Sequence, residues 1–148
     1  MGKVVLITGA SNGMGFEAAK LFAENQWIVY AGARRLEKMA PLEQLGIKTI
    51  ALDVTDHESN VNFVQTALNE QHHIEVLINN AGYGEYGPLE EVSLEKARTQ
   101  LDTNLLGAAD LAQLVLPARG AQQIGANRRR RGNSGAVGAG GCVVGRAG

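Results

Sequence analysis

Short, nearly continuous apolar runs alternate along the first 117 residues with stretches in which apolar positions recur every three or four residues. The runs are rich in β-branched residues, as expected of strands that are buried on both faces of a parallel sheet. The predicted strands span residues 3–8, 27–32, 47–52 and 74–78. Because strands that alternate with helices favour right-handed crossovers, the sequence predicts an α/β fold with a doubly wound parallel sheet.

N-capping residues in the sequence indicate where two of the predicted helices begin. Thr55 and Glu58 have the spacing of a capping box, which predicts that a helix begins after Thr55. Ser93 is a favourable N-cap for a long helix that extends to about Leu116. Asn104 falls on the apolar stripe of that helix, so the sequence predicts an amide among buried positions.

A glycine-rich segment joins the first predicted strand to the first predicted helix. Residues 8–15 have the sequence TGASNGMG. Glycines at this place permit a tight turn and a close approach of backbone amides to a pyrophosphate, and the helix N-terminus adds partial positive charge. The segment therefore predicts a phosphate-binding loop, and the alternative is a glycine-rich turn that holds no ligand.

The spacing TGxxxGxG resembles the short-chain dehydrogenase/reductase family, and three further segments, Asp53-Val54, residues 79–82 (NNAG) and Asn104, follow in that family's order. The resemblance covers about residues 1–117. It implies a Rossmann-type oxidoreductase that transfers a hydride between a nicotinamide cofactor and a carbonyl compound or secondary alcohol. The implied cofactor contacts are Gly9, Ser11, Asn12, Gly13, Met14, Gly15, Asp53, Val54, Asn80, Ala81 and Gly82.

Several of these segments also have a structural alternative. The resemblance implies that Asp53 faces the adenine amine, but an acid at this position also suits the start of a helix. It implies that Asn104 holds a water molecule in a proton relay, but the amide could equally bond a strand to its helix. Residues 79–82 would tie strands together as well as bind the cofactor. Tyr83 and Tyr86 resemble part of a substrate-side loop, or they are packing anchors.

The end of the second predicted strand indicates which nicotinamide cofactor is bound. A site for NAD usually presents an acid here, which accepts hydrogen bonds from the ribose 2′-hydroxyl. This chain instead has Ala33 followed by Arg34 and Arg35. Guanidinium groups offer planar, charged donors to a 2′-phosphate, so we expect NADP(H) in preference to NAD(H). The alternative is two solvated arginines at the start of a helix.

The catalytic residues that the resemblance implies are a tyrosine, a lysine four residues after it, and a serine that orients the carbonyl group. The chain has no tyrosine after Tyr86 and no lysine after Lys96, and its only later serine, Ser134, lies among glycines. We therefore predict little or no activity for this chain alone. The alternative function is that of a non-catalytic NADP(H)-binding protein.

The composition changes near Pro117. Residues 1–117 contain all 15 acidic and eight of the 14 basic residues, whereas residues 118–148 contain six basic residues and nine of the 19 glycines. The sequence thus predicts a nucleotide-binding half-domain over residues 1–117 and a Gly/Arg-rich tail over residues 118–148. That tail is interpreted as disordered, as an RNA-binding segment carrying residues 128–131 (RRRR), or as the product of a shifted reading frame.

The resemblance implies further strands after the long helix, and the sequence shows none. We therefore expect a fold that is truncated after the fourth strand and the helix that follows it. Residues 74–78 would then form an apolar sheet edge with unpaired backbone groups, which predicts marginal stability or self-association.

No apolar run approaches the roughly 20 residues that span a bilayer, and no signal-peptide core is visible. The single cysteine, Cys142, excludes an intrachain disulfide. These features predict a cytoplasmic protein without membrane attachment, and no metal site is expected.

Overall fold

The computed structural model describes residues 2–82, 93–120 and 142–144. Three predictions fall outside the described residues. They concern the substrate-side loop with Tyr83 and Tyr86, the arginines of residues 128–131, and the change of reading frame.

The described strands form one sheet in the order β3-β2-β1-β4-β5. The first four strands are parallel, which confirms the predicted doubly wound sheet. Each of them lies within one or two residues of its predicted position. The strands are β1 (Val4–Thr8), β2 (Ile28–Ala33), β3 (Lys48–Ala51), β4 (Val76–Asn79) and β5 (Cys142–Val144).

Helices cover both faces of the central strand β1, whose five residues are all buried. Val4 and Leu6 belong to one apolar cluster, and Val5 and Ile7 belong to another. This alternation follows from the pleat of a strand, which directs successive side chains to opposite faces. It explains why the sequence of β1 is continuously apolar.

The described helices lie between the strands and after β4. They are α1 (Gly13–Glu24), a short 3₁₀ helix (Leu36–Met39) that continues into α2 (Ala40–Glu43), α3 (His57–Gln71), α4 (Leu94–Leu101), a π-helical segment (Asp102–Gly107) and α5 (Ala108–Gly120). Residues from α1, the 3₁₀ helix and α2 pack on one face of the sheet, and residues from α3 and α5 pack on the other. In the described part of the chain, no helix is long and apolar enough to cross a membrane.

The helix predicted from Ser93 to about Leu116 is interrupted by the π-helical segment. A π-helical turn holds more residues than an α-helical turn, so it shifts the phase of the apolar stripe. Leu111 and Val115 after the segment are fully buried, whereas Leu101 before it is 57% exposed. Asn104 lies within the segment and is exposed, so the prediction that it occupies a buried position was wrong.

The start of α3 also differs from the prediction. Asp56 is the N-cap residue, and its side chain accepts a hydrogen bond from the backbone N–H of Glu58. The hydroxyl of Thr55 instead donates to Asp53. The capping box predicted for Thr55 and Glu58 was therefore wrong. The hydroxyl of Thr55 bonds to the carboxylate of Asp53, and Asp56 caps the helix instead.

The edge of β4 is paired, contrary to expectation. β5 runs antiparallel to β4, with Val143 opposite Ile78 and Cys142 opposite Asn79. The expectation of an unpaired apolar edge overlooked this strand because its three residues lie within a glycine-rich segment that resembles no strand pattern. Self-association through that edge stays a prediction without structural support. Helix α5 continues to Gly120, three residues past the predicted boundary between the half-domain and the tail at residue 117.

Burial of α5 against the sheet should dominate its contribution to stability. We predict that Leu111→Ala lowers the free energy of unfolding by about 2–5 kcal/mol, because the substitution leaves a cavity in the core. Leu116→Ala on the same helix removes a side chain that is 44% exposed and should cost less than about 1 kcal/mol. Urea unfolding of both variants provides the measurement, and equal losses would contradict this packing.

Candidate nucleotide-binding site

A cavity of about 500 Å³ opens at the point in the sheet where the strand order changes direction. β2 lies on one side of β1 and β4 lies on the other, so the carboxyl ends of β1 and β4 form the topological switch point, where α/β folds bind ligands. The described residues that line the cavity are Gly9, Ser11, Asn12, Gly13, Met14, Gly32, Ala33, Arg34, Arg35, Lys38, Leu52, Val54, Asn80, Ala81, Gly82 and Thr103.

Two glycines allow the loop after β1 to touch the end of β4. A Cβ atom on Gly9 would lie 2.8 Å from the backbone nitrogen of Ala81, and a Cβ on Gly15 would overlap the carbonyl oxygen of Gly9. Gly13 has open space around it but a φ of +59°, a conformation that side chains other than hydrogen disfavour. Gly15 does not line the cavity, so its part in the site is to permit this close packing.

The hydroxyl of Thr8 joins β1 to the segment that follows β4. Its oxygen is fully buried and accepts hydrogen bonds from the backbone N–H groups of Asn80, at 3.0 Å, and Ala81, at 2.9 Å. The side-chain amide of Asn80 donates in turn to the carbonyl oxygen of Gly9, at 3.2 Å. These bonds fix one wall of the cavity relative to another.

The N-terminus of α1 borders the cavity, where Asn12 and Gly13 are lining residues. Asn12 is the N-cap residue, yet its side chain makes no capping hydrogen bond, and the first turn holds no acid. In contrast, Asp56 caps α3 and Ser93 caps α4 through their side chains. The first amides of α1 are thus left without a side-chain acceptor, which suits the binding of an anion.

Three basic side chains line the cavity beyond the end of β2. They are Arg34, Arg35 and Lys38, and all three are exposed. No carboxylate of the described residues is among the lining groups. This side of the cavity is therefore strongly positive. The arginines were predicted from the sequence, whereas Lys38 was not.

Asp53 follows the third strand but does not line the cavity. Its Oδ1 atom accepts hydrogen bonds from the hydroxyl of Thr55, at 2.6 Å, and from the backbone N–H of the same residue, at 3.0 Å. The hydrogen bond from the hydroxyl of Thr55 is the main cause that lowers the pKa of Asp53 below its ordinary value. Burial raises this pKa, whereas the backbone N–H of Thr55 and the charge of Arg34 lower it further. Asp53 is therefore ionised at neutral pH. The buried neighbours Leu52 and Val54 line the cavity in its place.

Thr103 lines the cavity from the π-helical segment, and its neighbour Asn104 does not. Gly107 brings this segment close to the chain after β3, since a Cβ on Gly107 would lie 2.6 Å from the carbonyl oxygen of Val54. Sequence periodicity missed Thr103 because it assumed a continuous α-helix. The relevant signal is Gly107 itself, which marks a close approach of backbones.

A polar cluster fastens α5 to the start of α3 behind Val54. The side-chain amide of Asn60 donates to the carbonyl oxygen of Val54, at 3.0 Å, and to a carboxylate oxygen of Asp110, at 2.8 Å. Nδ1 of His57 lies 2.9 Å from the other carboxylate oxygen of Asp110. The hydrogen bond to Asp110 and the charge of that carboxylate raise the pKa of His57 above its ordinary value of 6.5.

Comparison with known proteins identifies the group to which this arrangement belongs. The sequence pattern described as short chain dehydrogenase matches residues 3–126. The chain belongs to the short-chain dehydrogenase family. This membership confirms the resemblance carried by the glycine loop, Asp53-Val54, residues 79–82 and Asn104.

Several individual proteins match over most of this chain. It is 37% identical over 116 residues to a 3-ketodihydrosphingosine reductase of Bacteroides thetaiotaomicron, covering 78% of this chain and 41% of that protein. A short-chain dehydrogenase from Streptomyces avermitilis has a TM-score of 0.79 and 31% identity, covering 82% and 46% of the two chains. An alcohol dehydrogenase from Thermococcus sibiricus, complexed with 5-hydroxy-NADP, has a TM-score of 0.75 and 29% identity, covering 82% and 55%. The chain thus spans about half the length of its relatives.

Removal of the Thr8 hydroxyl should loosen the candidate site. We predict that Thr8→Val lowers the free energy of unfolding by about 1–3 kcal/mol, because two partly buried N–H groups lose their acceptor. Thr8→Ser keeps the hydroxyl and should cost only about 1 kcal/mol for the lost methyl group. Urea unfolding compares the two variants. If the serine variant lost as much stability as the valine variant, the methyl group and not the hydroxyl would matter.

The contact between His57 and Asp110 should make stability depend on pH. A raised pKa of a histidine means that its stabilisation is complete below the ordinary value of 6.5 and is lost as the pH rises through the higher pKa of the folded state. His57→Gln should therefore lower the thermal unfolding midpoint more at about pH 5.5 than at about pH 8.5.

The control for this pH dependence is the same substitution in an Asp110→Asn background. There the histidine has lost its charged partner, so the effect of His57→Gln should vary much less with pH. Asp56 and Glu58 also raise the pKa of His57, but they are smaller contributions. Equal midpoint shifts at both pH values in the native background would show that the ion pair adds no stability.

Proposed function

We propose that this chain binds NADP(H) in the cavity at the switch point, in preference to NAD(H). The observation that carries the proposal is the combination of an uncapped N-terminus of α1 with three basic side chains on one cavity that no described carboxylate lines. A dinucleotide phosphate carries negative charge at two separate places, the pyrophosphate and the 2′-phosphate. The cavity offers a positive region for each.

The glycine loop and the first turn of α1 would bind the pyrophosphate. Gly9 and Gly15 leave no side chain between the loop and β4, and Ser11, Gly13 and Met14 line the space above the helix N-terminus. Backbone amides that point from a helix N-terminus bind phosphate oxygens without a counter-ion. This arrangement favours a phosphate ligand over a glycine-rich turn without a ligand.

The end of β2 would bind the adenosine 2′-phosphate. Ala33 stands where an acid would select the free 2′-hydroxyl of NAD, and Arg34 and Arg35 follow it along the cavity. Guanidinium groups form short, charge-assisted hydrogen bonds to phosphate oxygens. The NADP derivative bound by the Thermococcus relative is consistent with this assignment.

The remaining residues would place the other parts of the cofactor. We propose that Val54 and Asp53 lie beside the adenine and that Asn80, Ala81 and Gly82 lie along the nicotinamide ribose. Val54 and the segment after β4 line the cavity, whereas Asp53 does not; its Oδ1 atom accepts hydrogen bonds from Thr55, and its Oδ2 atom would accept a hydrogen bond from the adenine amine. Asn104, which is exposed and does not line the cavity, keeps its two proposed roles, a proton relay and a structural bond.

For the whole protein, we propose hydride transfer between NADP(H) and a carbonyl compound or secondary alcohol in the cytoplasm. Relatives named as a 3-ketodihydrosphingosine reductase and an alcohol dehydrogenase support a substrate of this class. The 148 residues contain no Tyr-x-x-x-Lys sequence, so no general acid can be assigned within them. The second candidate function, proposed for the 148 residues by themselves, is binding of NADP(H) without turnover.

Titration of the purified chain with NADPH and NADH tests the cofactor proposal. We expect NADPH to bind at least about tenfold more tightly, since hydrogen bonds to charged groups contribute about 1.5–3 kcal/mol. The double variant Arg34→Gln/Arg35→Gln should remove most of this preference and leave the affinity for NADH nearly unchanged. Arg98→Gln, on α4 and outside the cavity lining, is the matched control. Equal binding of both cofactors by the native chain would reject the preference.

Turnover distinguishes the two candidate functions. Oxidation of NADPH in the presence of simple ketones or aldehydes, followed by its absorbance, would show catalysis by the chain itself and reject the non-catalytic candidate. Binding of NADPH without oxidation would support that candidate for the 148 residues. Failure to bind either nicotinamide cofactor would reject both.

A further inference from the structure

The basic side of the cavity contains one more cation than the proposed arginine pair. Lys38 lines the same cavity as Arg34 and Arg35. In the described part of the chain, none of these three side chains forms an ion pair within 4.0 Å, whereas Lys20 pairs with Glu17 and Lys48 pairs with Glu70. The position of Lys38 on the cavity is therefore not explained by a protein partner.

The backbone accounts for the position of Lys38. The backbone N–H of Lys38 donates to the carbonyl oxygen of Arg35, at 3.1 Å, within the 3₁₀ helix Leu36–Met39. In a 3₁₀ helix, side chains three residues apart lie on the same side. Lys38 consequently projects on the side of Arg35. Met39, which is fully buried, fixes the rotation of this short helix against the sheet.

The three cations are not equally available to a ligand. Arg34 interacts electrostatically with Asp53, since its charge contributes to the lowered pKa of that carboxyl group. Among the described residues, no carboxylate lies within 4.0 Å of the charged group of Arg35 or Lys38. A phosphate monoester carries nearly two negative charges at neutral pH, so one uncompensated cation would leave part of that charge unmatched.

We propose that Lys38 is a specificity-determining residue that binds the 2′-phosphate of NADP(H) together with Arg35. The proposal rests on the function proposed above. The arginines supply planar donors that orient the phosphate, and the ammonium group of Lys38 supplies a compact charge that neutralises it. Lys38 contributes nothing to the binding of a nucleotide that lacks the 2′-phosphate.

Two small nucleotides isolate this interaction from the rest of the cofactor. Adenosine 2′,5′-bisphosphate and adenosine 5′-monophosphate differ only in the 2′-phosphate, and their dissociation constants can be measured by calorimetry on the full chain. We expect Lys38→Gln to weaken binding of the bisphosphate by about threefold to tenfold and to leave the monophosphate unchanged. Lys38→Arg should retain most of the affinity because it keeps the charge.

Lys20→Gln is the matched control, because Lys20 is a lysine outside the cavity lining that already has Glu17 as its partner. It should change the affinity for neither nucleotide. Equal effects of Lys38→Gln on both nucleotides, or an effect on neither, would overturn the assignment of Lys38.

The same titrations separate failure of this inference from failure of the proposed function. If the native chain prefers the bisphosphate and Arg34→Gln/Arg35→Gln reduces that preference while Lys38→Gln leaves it unchanged, only the assignment of Lys38 is wrong. If the native chain binds both nucleotides equally, the preference for NADP(H) is wrong and the inference fails with it. If it binds neither nucleotide, the proposed function itself fails.

Discussion

The join between the carboxyl ends of β1 and β4 is the constraint on which the site depends. The hydroxyl of Thr8 bonds two backbone N–H groups more than 70 residues further along the chain, and Gly9 and Gly15 carry no Cβ that would force the segments apart. Once these ends are fixed, α1 must start at the border of the cavity and β2 must present its last residues along the cavity. The positions of the glycine loop and of the residues after β2 around the cavity therefore follow from strand pairing and not from a separate loop structure.

Sequence patterns predicted the parallel strands because each pattern is local. A strand buried on both faces has to be continuously apolar, as β1 is, and the glycines around Gly9 and Gly15 are needed wherever backbones approach closely. The positions of Arg34 and Arg35 followed equally directly, since the end of a parallel strand places the next residues at the ligand edge. For these features, spacing along the chain is enough.

The errors arose where the structure depends on a change of phase or on competition between neighbours. One π-helical segment moved Asn104 to the surface and Thr103 to the cavity, which a constant helical repeat cannot anticipate. Thr55 does not cap α3 because its hydroxyl donates a hydrogen bond to the charged carboxylate of Asp53. Lys38 was overlooked because its direction follows from a 3₁₀ helix, in which it lies on the same side as Arg35.

The affinity for an anion that we propose arises from placement and not from composition. The chain has a formal net charge of −1, and its first 117 residues contain almost twice as many acidic as basic residues, so composition argues against an anion site. The fold nevertheless brings three of the eight basic residues in that region to one cavity that no described carboxylate lines. Because low-dielectric walls concentrate the field of such a group, the local potential can oppose the sign of the whole protein. The preference for an anionic ligand that we propose therefore depends on where the fold places the residues that follow β2.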